Sequence, residues 1–472
     1  MNFTLPKIIQ GGMGINVSSW KLAKAVSQKG QLGVVSGTAI DAVVSRILQL
    51  GDKDGHVRRA LEHFPFSDMA NRVKERFFVP GGKEERKPFK GIGMPGLTMT
   101  RAKEELLIVA NFVEVYLAKE HHSGAVGINY LEKIQIPTLP SIFGAMLAGV
   151  NVILMGAGIP LAIPGILDQL ATFNPVSLKI HVEDNPGNQA FYTTFDPNDY
   201  VETPNYPEIA RPHFYGIVST DIVARQMERK ASGEVNGYVI ENHLAGGHNA
   251  PPRRVALADG IEPAYTEKDK PDLEKIRQLG KPFWLAGQYT SPEKFQEALE
   301  AGAQGIQVGT PFAYCEESAM LRPIKDEVIR QSIAGTLDVE TSFTASPTGY
   351  PFKLVHLQGE QFTVGNVTKR DRVCDMGYLR SAYLTPEGTV GLRCSAEPIK
   401  DFESKGGTEA GAQGRMCLCN GLIATVGYGQ TRKGYVEQPI LTSGDEVLNL
   451  GRFLNGSDYR YTAADVINHI LA

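Results

Sequence analysis

Short apolar runs, each ending in glycine or a small polar residue, recur along the first two thirds of the chain. Between them lie stretches whose apolar residues fall three and four apart, so the pattern alternates buried strand with amphipathic helix. Lys7 to Gln10 is the first run, turning at Gly11, Gly12, Met13 and Gly14. Ser18 or Ser19 can cap a helix that faces inward through Trp20, Ala23 and Val26 and stops at Gly30. Leu32 to Val35 is the second strand, and residues Asp41 to Leu50 read as a helix burying Val43, Val44, Ile47 and Leu48. Further strands are predicted at Ala125 to Tyr130, Asn151 to Met155, Phe214 to Val218 (ending at Ser219), Gly237 to Ile240, Phe283 to Ala286 and Gly305 to Val308. None alternates apolar with polar, as expected of parallel strands covered on both faces.

Eight strand-plus-helix units in this order predict an α/β fold, a (β/α)8 TIM barrel over about residues 1–325, with its site at the strands' carboxyl ends. An open doubly wound sheet is the alternative reading. Two stretches, about 51–96 and 181–213, are too long and too polar for ordinary connections and are predicted to be insertions. Residues 326–472 form a C-terminal extension, expected to pack on the barrel and to end, from Asp445 to Ala472, in two short amphipathic pieces. Ile136 to Leu170 is apolar enough to suggest a membrane span, but its prolines and glycines break it into helix, strand and helix.

Composition narrows the function. The chain has 472 residues and a net charge of -4, with its cations scattered, which gives no reason to expect nucleic acid or an anionic membrane as partner. No basic segment followed by an apolar run opens the chain, so the expected location is the cytoplasm. Four of five cysteines, Cys374, Cys394, Cys417 and Cys419, crowd into the extension, and Cys315 precedes it. They can gather around zinc or an iron–sulfur cluster, or remain reduced thiols. Their spacing lacks the paired C-x-x-C of a zinc ribbon.

The strand-six loop carries the candidate chemistry. In NGYVIENHLAGGHNAPPR the apolar run breaks into Glu241, Asn242 and His243, then Gly246 and Gly247 loosen the backbone beside His248. His248 is either a proton handler titrating near neutrality or a loop histidine bonded to a nearby carbonyl. After strands seven and eight, the amides at Gly287, Gln288, Gly309 and Thr310 stand where such barrels build a phosphate site.

The set KIIQGGMG, VGINY, LAGGH and WLAGQYTSPEKFQEALEAGAQGIQVGT, in order over about residues 5–320, resembles the nitronate monooxygenase (2-nitropropane dioxygenase) superfamily. That superfamily also holds FMN-dependent enoyl reductases. The stretch NYLEKIQIPTLPSIFGAMLAGVNVILMGAGIP and the Cys-bearing tail look most like its longer PfaD-type members. The resemblance implies FMN at the barrel mouth with its phosphate on the loops after strands seven and eight. It places the backbone of Gly11, Gly12 and Met13 toward the flavin ring, Asn129 and Ser219 on its ribityl or phosphate side, and Gly246 and Gly247 at its edge. His248 matches the family's active-site histidine. Gln288 departs from the usual small residue, and His243 competes with His248 for the proton-handling role. NAD(P)H is the implied electron donor, and the implied reactions are reduction of an enoyl thioester or oxidation of an alkyl nitronate by oxygen. A non-redox isomerase or lyase holding a phosphorylated substrate on the same loops is the reading from another class. The expected partners are a small-molecule or acyl-carrier-bound substrate, with a homodimer left open.

Overall fold

Eight short parallel strands alternate with helices and close on themselves. A computed structural model of the chain describes residues 4–201, 206–253, 264–358, 370–432, 434–456 and 458–472. In chain order the barrel comprises β1 (Ile8–Gln10), α1 (Trp20–Ser27), β2 (Gly33–Ser36), α2 (Ile40–Gln49), α3 (Arg101–Lys119), β3 (Val126–Leu131), α4 (Thr138–Leu147) and β4 (Val152–Gly156). It continues with α5 (Ile163–Leu170), β5 (His213–Val218), α6 (Asp221–Lys230), β6 (Gly237–Glu241), α7 (Leu273–Arg277), β7 (Phe283–Ala286), α8 (Pro292–Glu300) and β8 (Gly305–Val308). Strands pair in sequential order, with β8 returning to β1. The remaining seam is closed by Leu32, whose amide donates to the Ile8 carbonyl at 3.1 Å and whose carbonyl accepts from the Gln10 amide at 2.9 Å. An open doubly wound sheet has two free edges, so this closure makes the fold a (β/α)8 TIM barrel.

Inside the barrel, Ile9, Val34, Val152, Leu154 and Val239 surround two large rings, Tyr215 and Trp284. The rings stack with centroids 4.8 Å apart, and the indole Nε1 donates to the Pro6 carbonyl at 2.8 Å, which satisfies its polar atom without water. Removing a ring of this kind from a filled interior costs about 3–5 kcal/mol. The helix starts follow their side chains: Ser291, before Pro292, accepts from the Lys294 amide, and Thr100 accepts from that of Lys103.

Long segments leave the barrel after α2 and after α5. The first folds into two helices, His56–Leu61 and Ser67–Phe77, packed on α3. The second contains an antiparallel hairpin, Val176–Ile180 with Phe191–Phe195, whose first strand lies ahead of the expected boundary at 181. Val176, Leu178 and Ile180 are buried while Ser177 and Lys179 are exposed, the period of two that marks a one-faced strand. Residues 202–205 of this insertion lie outside the described residues.

The extension is knit to the barrel at several levels. Its strands β9 (Asp338–Ser342) and β10 (Phe352–His356) form an antiparallel pair. Ser381–Leu384 pairs with Val390–Arg393 and, in parallel, with Val182–Glu183 of the second insertion. The final helix, α9 (Ala463–Leu471), opens with a Thr462/Asp465 capping box and packs against both α1 and α8. It takes the place on the outer wall where the helix after β8 belongs. Among the described residues no helix is long and apolar enough to cross a membrane.

Candidate active site

Because parallel strands all point the same way, their carboxyl ends deliver the loops after β1, β6, β7 and β8 to a single rim. Gly11, Gly12, Met13, Gly246, Gly247, Gly287, Gln288, Gly309 and Thr310 line a cavity there of about 970 Å³, its open mouth included. A second lobe of about 960 Å³ lies toward β2, β3 and β4 and is lined by Asn129 and His248. The two lobes share Gly12, Glu241, Gly246, Gly247 and Gln307, so they form one cleft. Ser219, just beyond β5, lines neither lobe.

The first lobe is shaped for an anion. Gly287 (φ 103°) and Gln288 (φ 61°) both take positive φ, as a tight turn at the rim requires. The amides of Gly287, Gln288, Gly309 and Thr310 donate to no other described residue. A Cβ on Gly287 would stand 1.9 Å from Asn242 Oδ1, and the Asn242 side-chain Nδ2 donates to the Gly287 carbonyl at 3.1 Å, so loops six and seven are locked together. Two buried polar atoms on the wall, Thr290 Oγ1 and Gln307 Oε1, have no hydrogen-bond partner. Buried atoms of this kind carry a desolvation cost unless a polar ligand answers them. Free amides, orphaned polar atoms and bare glycine backbone together fit a phosphate-bearing, partly planar cofactor such as FMN.

The second lobe is lined by His248. Its loop is zipped onto β10: the Asn249 amide donates to the Pro351 carbonyl at 2.9 Å and the Lys353 amide to that of Gly247 at 3.0 Å. The imidazole packs edge-on against Phe352, centroids 4.8 Å apart, and its Nε2 lies 2.7 Å from Ser346 Oγ. Burial, with the Lys133 charge adding to it, pushes its pKa down to about 4, so the ring is neutral at physiological pH. His243 stacks on Tyr265 with ring centroids 4.2 Å apart and lines neither lobe.

No protein-family model matches the chain, and no curated protein does. Among solved structures it is similar to FabK from Thermotoga maritima, at 15% identity and a TM-score of 0.48, over 99% of this chain and 91% of that one. It is also similar to the enoyl reductase domain of MlnA from the macrolactin biosynthesis cluster of Bacillus amyloliquefaciens, at 10% identity and a TM-score of 0.45, over 99% and 94%. Nitroalkane oxidase from Streptomyces ansochromogenes matches over 75% of this chain and 77% of its own, at 15% identity and a TM-score of 0.40.

Several lining residues escaped the sequence reading. Glu241, at the end of β6, faces both lobes, and burial raises its carboxyl to about 8, so it is protonated at neutral pH. Gln307 does the same from β8, and a polar residue inside an otherwise apolar strand was the available signal. The extension supplies Leu422, Thr442 and Ser443. Thr442 Oγ1 accepts from the Gly247 amide at 3.0 Å, and Thr310 Oγ1 accepts from that of Gly444 at 2.9 Å. Only the folded chain brings these residues to the rim. As for the cysteines, among the described residues no group of three or more His, Cys, Asp or Glu is placed to hold a metal ion. The five thiols are free, and burial raises Cys374, Cys394, Cys417 and Cys419 above the usual thiol range.

Proposed function

We propose that this chain is an FMN-dependent oxidoreductase whose barrel-mouth cleft holds the cofactor in the first lobe and its substrate beside His248 in the second. The observation that carries the reading is the pairing, within one cleft, of a cradle of free amides with a neutral imidazole. The motif resemblance of the sequence agrees with it. Gly287, Gln288, Gly309 and Thr310 hold the phosphate, while Gly12, Gly246 and Gly247 expose bare backbone to the ring system. When bound, FMN supplies hydride and electron transfer, which no side chain can. His248 handles the proton through Nδ1, the nitrogen with no hydrogen bond to another described residue.

The finer reading is a PfaD-type, trans-acting enoyl reductase, drawing on NAD(P)H and reducing an enoyl thioester in polyketide or fatty acid synthesis. It is supported by the apolar lining of the second lobe, Ile15, Leu131, Phe352, Leu379 and Leu422, which suits an acyl chain better than a small nitronate. Anaerobic stopped-flow reduction of the FMN-loaded protein by NADH, NADPH and an alkyl nitronate separates the two chemistries. Fast reduction by a nicotinamide, followed by reoxidation on an enoyl thioester, is the expected result. Fast reduction by the nitronate alone makes the protein a nitronate monooxygenase. Failure to take up FMN at all turns the site into a non-redox phosphate site.

A further inference from the structure

A neutral, buried imidazole can give a proton once but needs a source from which to recover it. Three side chains in line provide one. His248 Nε2 lies 2.7 Å from Ser346 Oγ, and Ser346 Oγ lies 2.8 Å from Thr348 Oγ1. In each pair either atom can donate, which is the condition for passing a proton along a chain of hydroxyls. Ser346 has no exposed surface, so its hydroxyl reaches water only through its neighbours. Thr348, in contrast, lines an open groove of about 860 Å³, beside Lys133, His181 and Arg380, which borders the second lobe at Tyr378 and Leu379. The line therefore runs from the cleft to solvent.

The surroundings hold the two hydroxyls rigidly. The Arg415 guanidinium donates to the Ser346 carbonyl at 2.6 Å and to that of Thr344 at 2.9 Å, and the Met416 amide donates to the Ala345 carbonyl at 2.9 Å. The Thr348 amide donates to Ser346 Oγ at 3.2 Å, and the Tyr350 amide to Thr348 Oγ1 at 3.4 Å. Both hydroxyl oxygens thus have one lone pair occupied by backbone, leaving each free to donate one proton and accept another. Such a pre-set alignment lowers the reorganisation a transfer requires.

We infer that Ser346 and Thr348, both from the C-terminal extension, form a proton relay that feeds His248 Nε2 from the outer groove as Nδ1 gives up its proton. The inference rests on the enoyl reductase reading for its direction. The α-carbon, bearing the electron pair left when hydride enters at the β-carbon, takes the Nδ1 proton. In the same event Nε2 takes the Ser346 hydroxyl proton, Ser346 takes that of Thr348, and Thr348 takes one from a water in the groove, where the resulting hydroxide meets bulk buffer. The imidazole changes tautomer and is never charged, which agrees with a ring that burial and Lys133 keep neutral; once product leaves, water in the cleft protonates Nδ1 as the Nε2 proton returns along the same hydroxyls to the groove, which restores the starting tautomer. Ser346 and Thr348 act through His248 and are positioning residues.

Two measurements on the full chain test the relay independently of each other. In protein labelled with ¹⁵N-histidine and free of FMN, the solvent exchange of the His248 Nδ1 proton, which without an imidazolate needs delivery to Nε2, is measured by NMR. It is expected to be at least about tenfold faster in wild type than in Ser346→Ala or Thr348→Val, with Thr348→Ser restoring it. Equal exchange in all four proteins overturns the relay, whatever the protein's reaction. With FMN bound, both variants are expected to keep FMN affinity and the rate of reduction by NAD(P)H, while reoxidation by enoyl thioester slows roughly ten- to hundredfold. The proton inventory of that step is expected to be curved in wild type and linear in Thr348→Val. Unchanged reoxidation with an unchanged inventory also overturns the relay. Absence of reoxidation in wild type, with the exchange difference intact, instead counts against the enoyl reductase reading alone.

Discussion

The hydroxyl of Tyr378, in the extension, donates to the carboxylate of Asp41 on α2, and both groups are buried. The other Asp41 oxygen is paired with the Lys103 ammonium of α3, itself buried, and that ammonium also lies 5.6 Å from the centre of the Tyr378 ring. Tyr378 lines the second lobe as well, so one buried triad fastens the extension to the barrel beside that lobe. Tyr378→Phe leaves one carboxylate oxygen short of a donor and is expected to cost about 1–3 kcal/mol. Asp41→Ala leaves a buried ammonium without its partner and is expected to cost more, about 3–5 kcal/mol. Denaturant midpoints of the two variants against wild type measure both, and limited proteolysis should cut the extension sooner in each. Equal midpoints in all three proteins would remove the triad as the fastening.

Glu241 is expected to make binding of the proposed cofactor depend on pH. Its folded pKa, raised by burial to about 8 from the ordinary carboxyl range, keeps it uncharged at pH 7. A raised carboxyl favours the folded state fully at low pH, and that advantage is lost as pH rises toward and through the folded value. The same ionisation places a negative charge in the cleft that is proposed to take an anionic cofactor. FMN affinity, read by quenching of flavin fluorescence, is expected to fall by up to about tenfold from pH 7 to pH 9. Glu241→Gln should flatten that profile while leaving affinity at pH 7 within a few-fold. A profile identical in wild type and variant would place the titration elsewhere.

The barrel was legible because buried parallel strands leave an unambiguous trace. Phe283–Ala286 and Gly305–Val308 lie where their apolar runs predict, and Ser291 with Pro292 marks the start of α8 to the residue. The rim glycines were legible for a related reason, since positive φ at Gly247 and Gly287 restricts the choice of residue. Partnership across long sequence separations left no such trace. Ser346 stands 98 residues from His248, and α9 fills its slot on the barrel wall some 150 residues after β8. TASPT reads as an ordinary polar turn until folding sets it beside the imidazole. Glu241 was visible as the break at the end of β6, but only the surrounding burial makes it a neutral acid rather than a solvated charge.

At Gly246 and Gly444, loop six and the extension meet backbone against backbone. A Cβ on Gly246 would lie 2.6 Å from the Gly444 nitrogen, and one on Gly444 would lie 2.6 Å from the Leu244 carbonyl oxygen. Neither obstacle is a movable side chain, so Gly246→Ala and Gly444→Ala must each push residues 443–446 off the cleft. FMN dissociation is expected to speed up by about tenfold or more in both, with stability lowered by about 1–3 kcal/mol. Gly247→Ala serves as the control: it has open space but φ of 79°, so only backbone strain of about 1 kcal/mol is expected, with a smaller effect on FMN.

Burial of His248 also sets the acid limit of the fold. In the unfolded chain the imidazole binds a proton below about pH 6.5, whereas the native ring resists protonation until about pH 4. Between those values the unfolded state holds more protons, so stability declines as pH falls through this window, and below it the full penalty, of order 3 kcal/mol, is present. Carboxylates titrate over part of the same range, so the histidine contribution must be isolated by difference. His248→Gln keeps a polar side chain that can meet Ser346 Oγ but does not titrate. Its unfolding free energy should fall less steeply than that of wild type between pH 7 and pH 5, the curves converging or crossing on the acid side. Parallel curves would mean that His248 protonates in the native state near its ordinary pKa, and the neutral ring on which the proton relay depends would be lost with it.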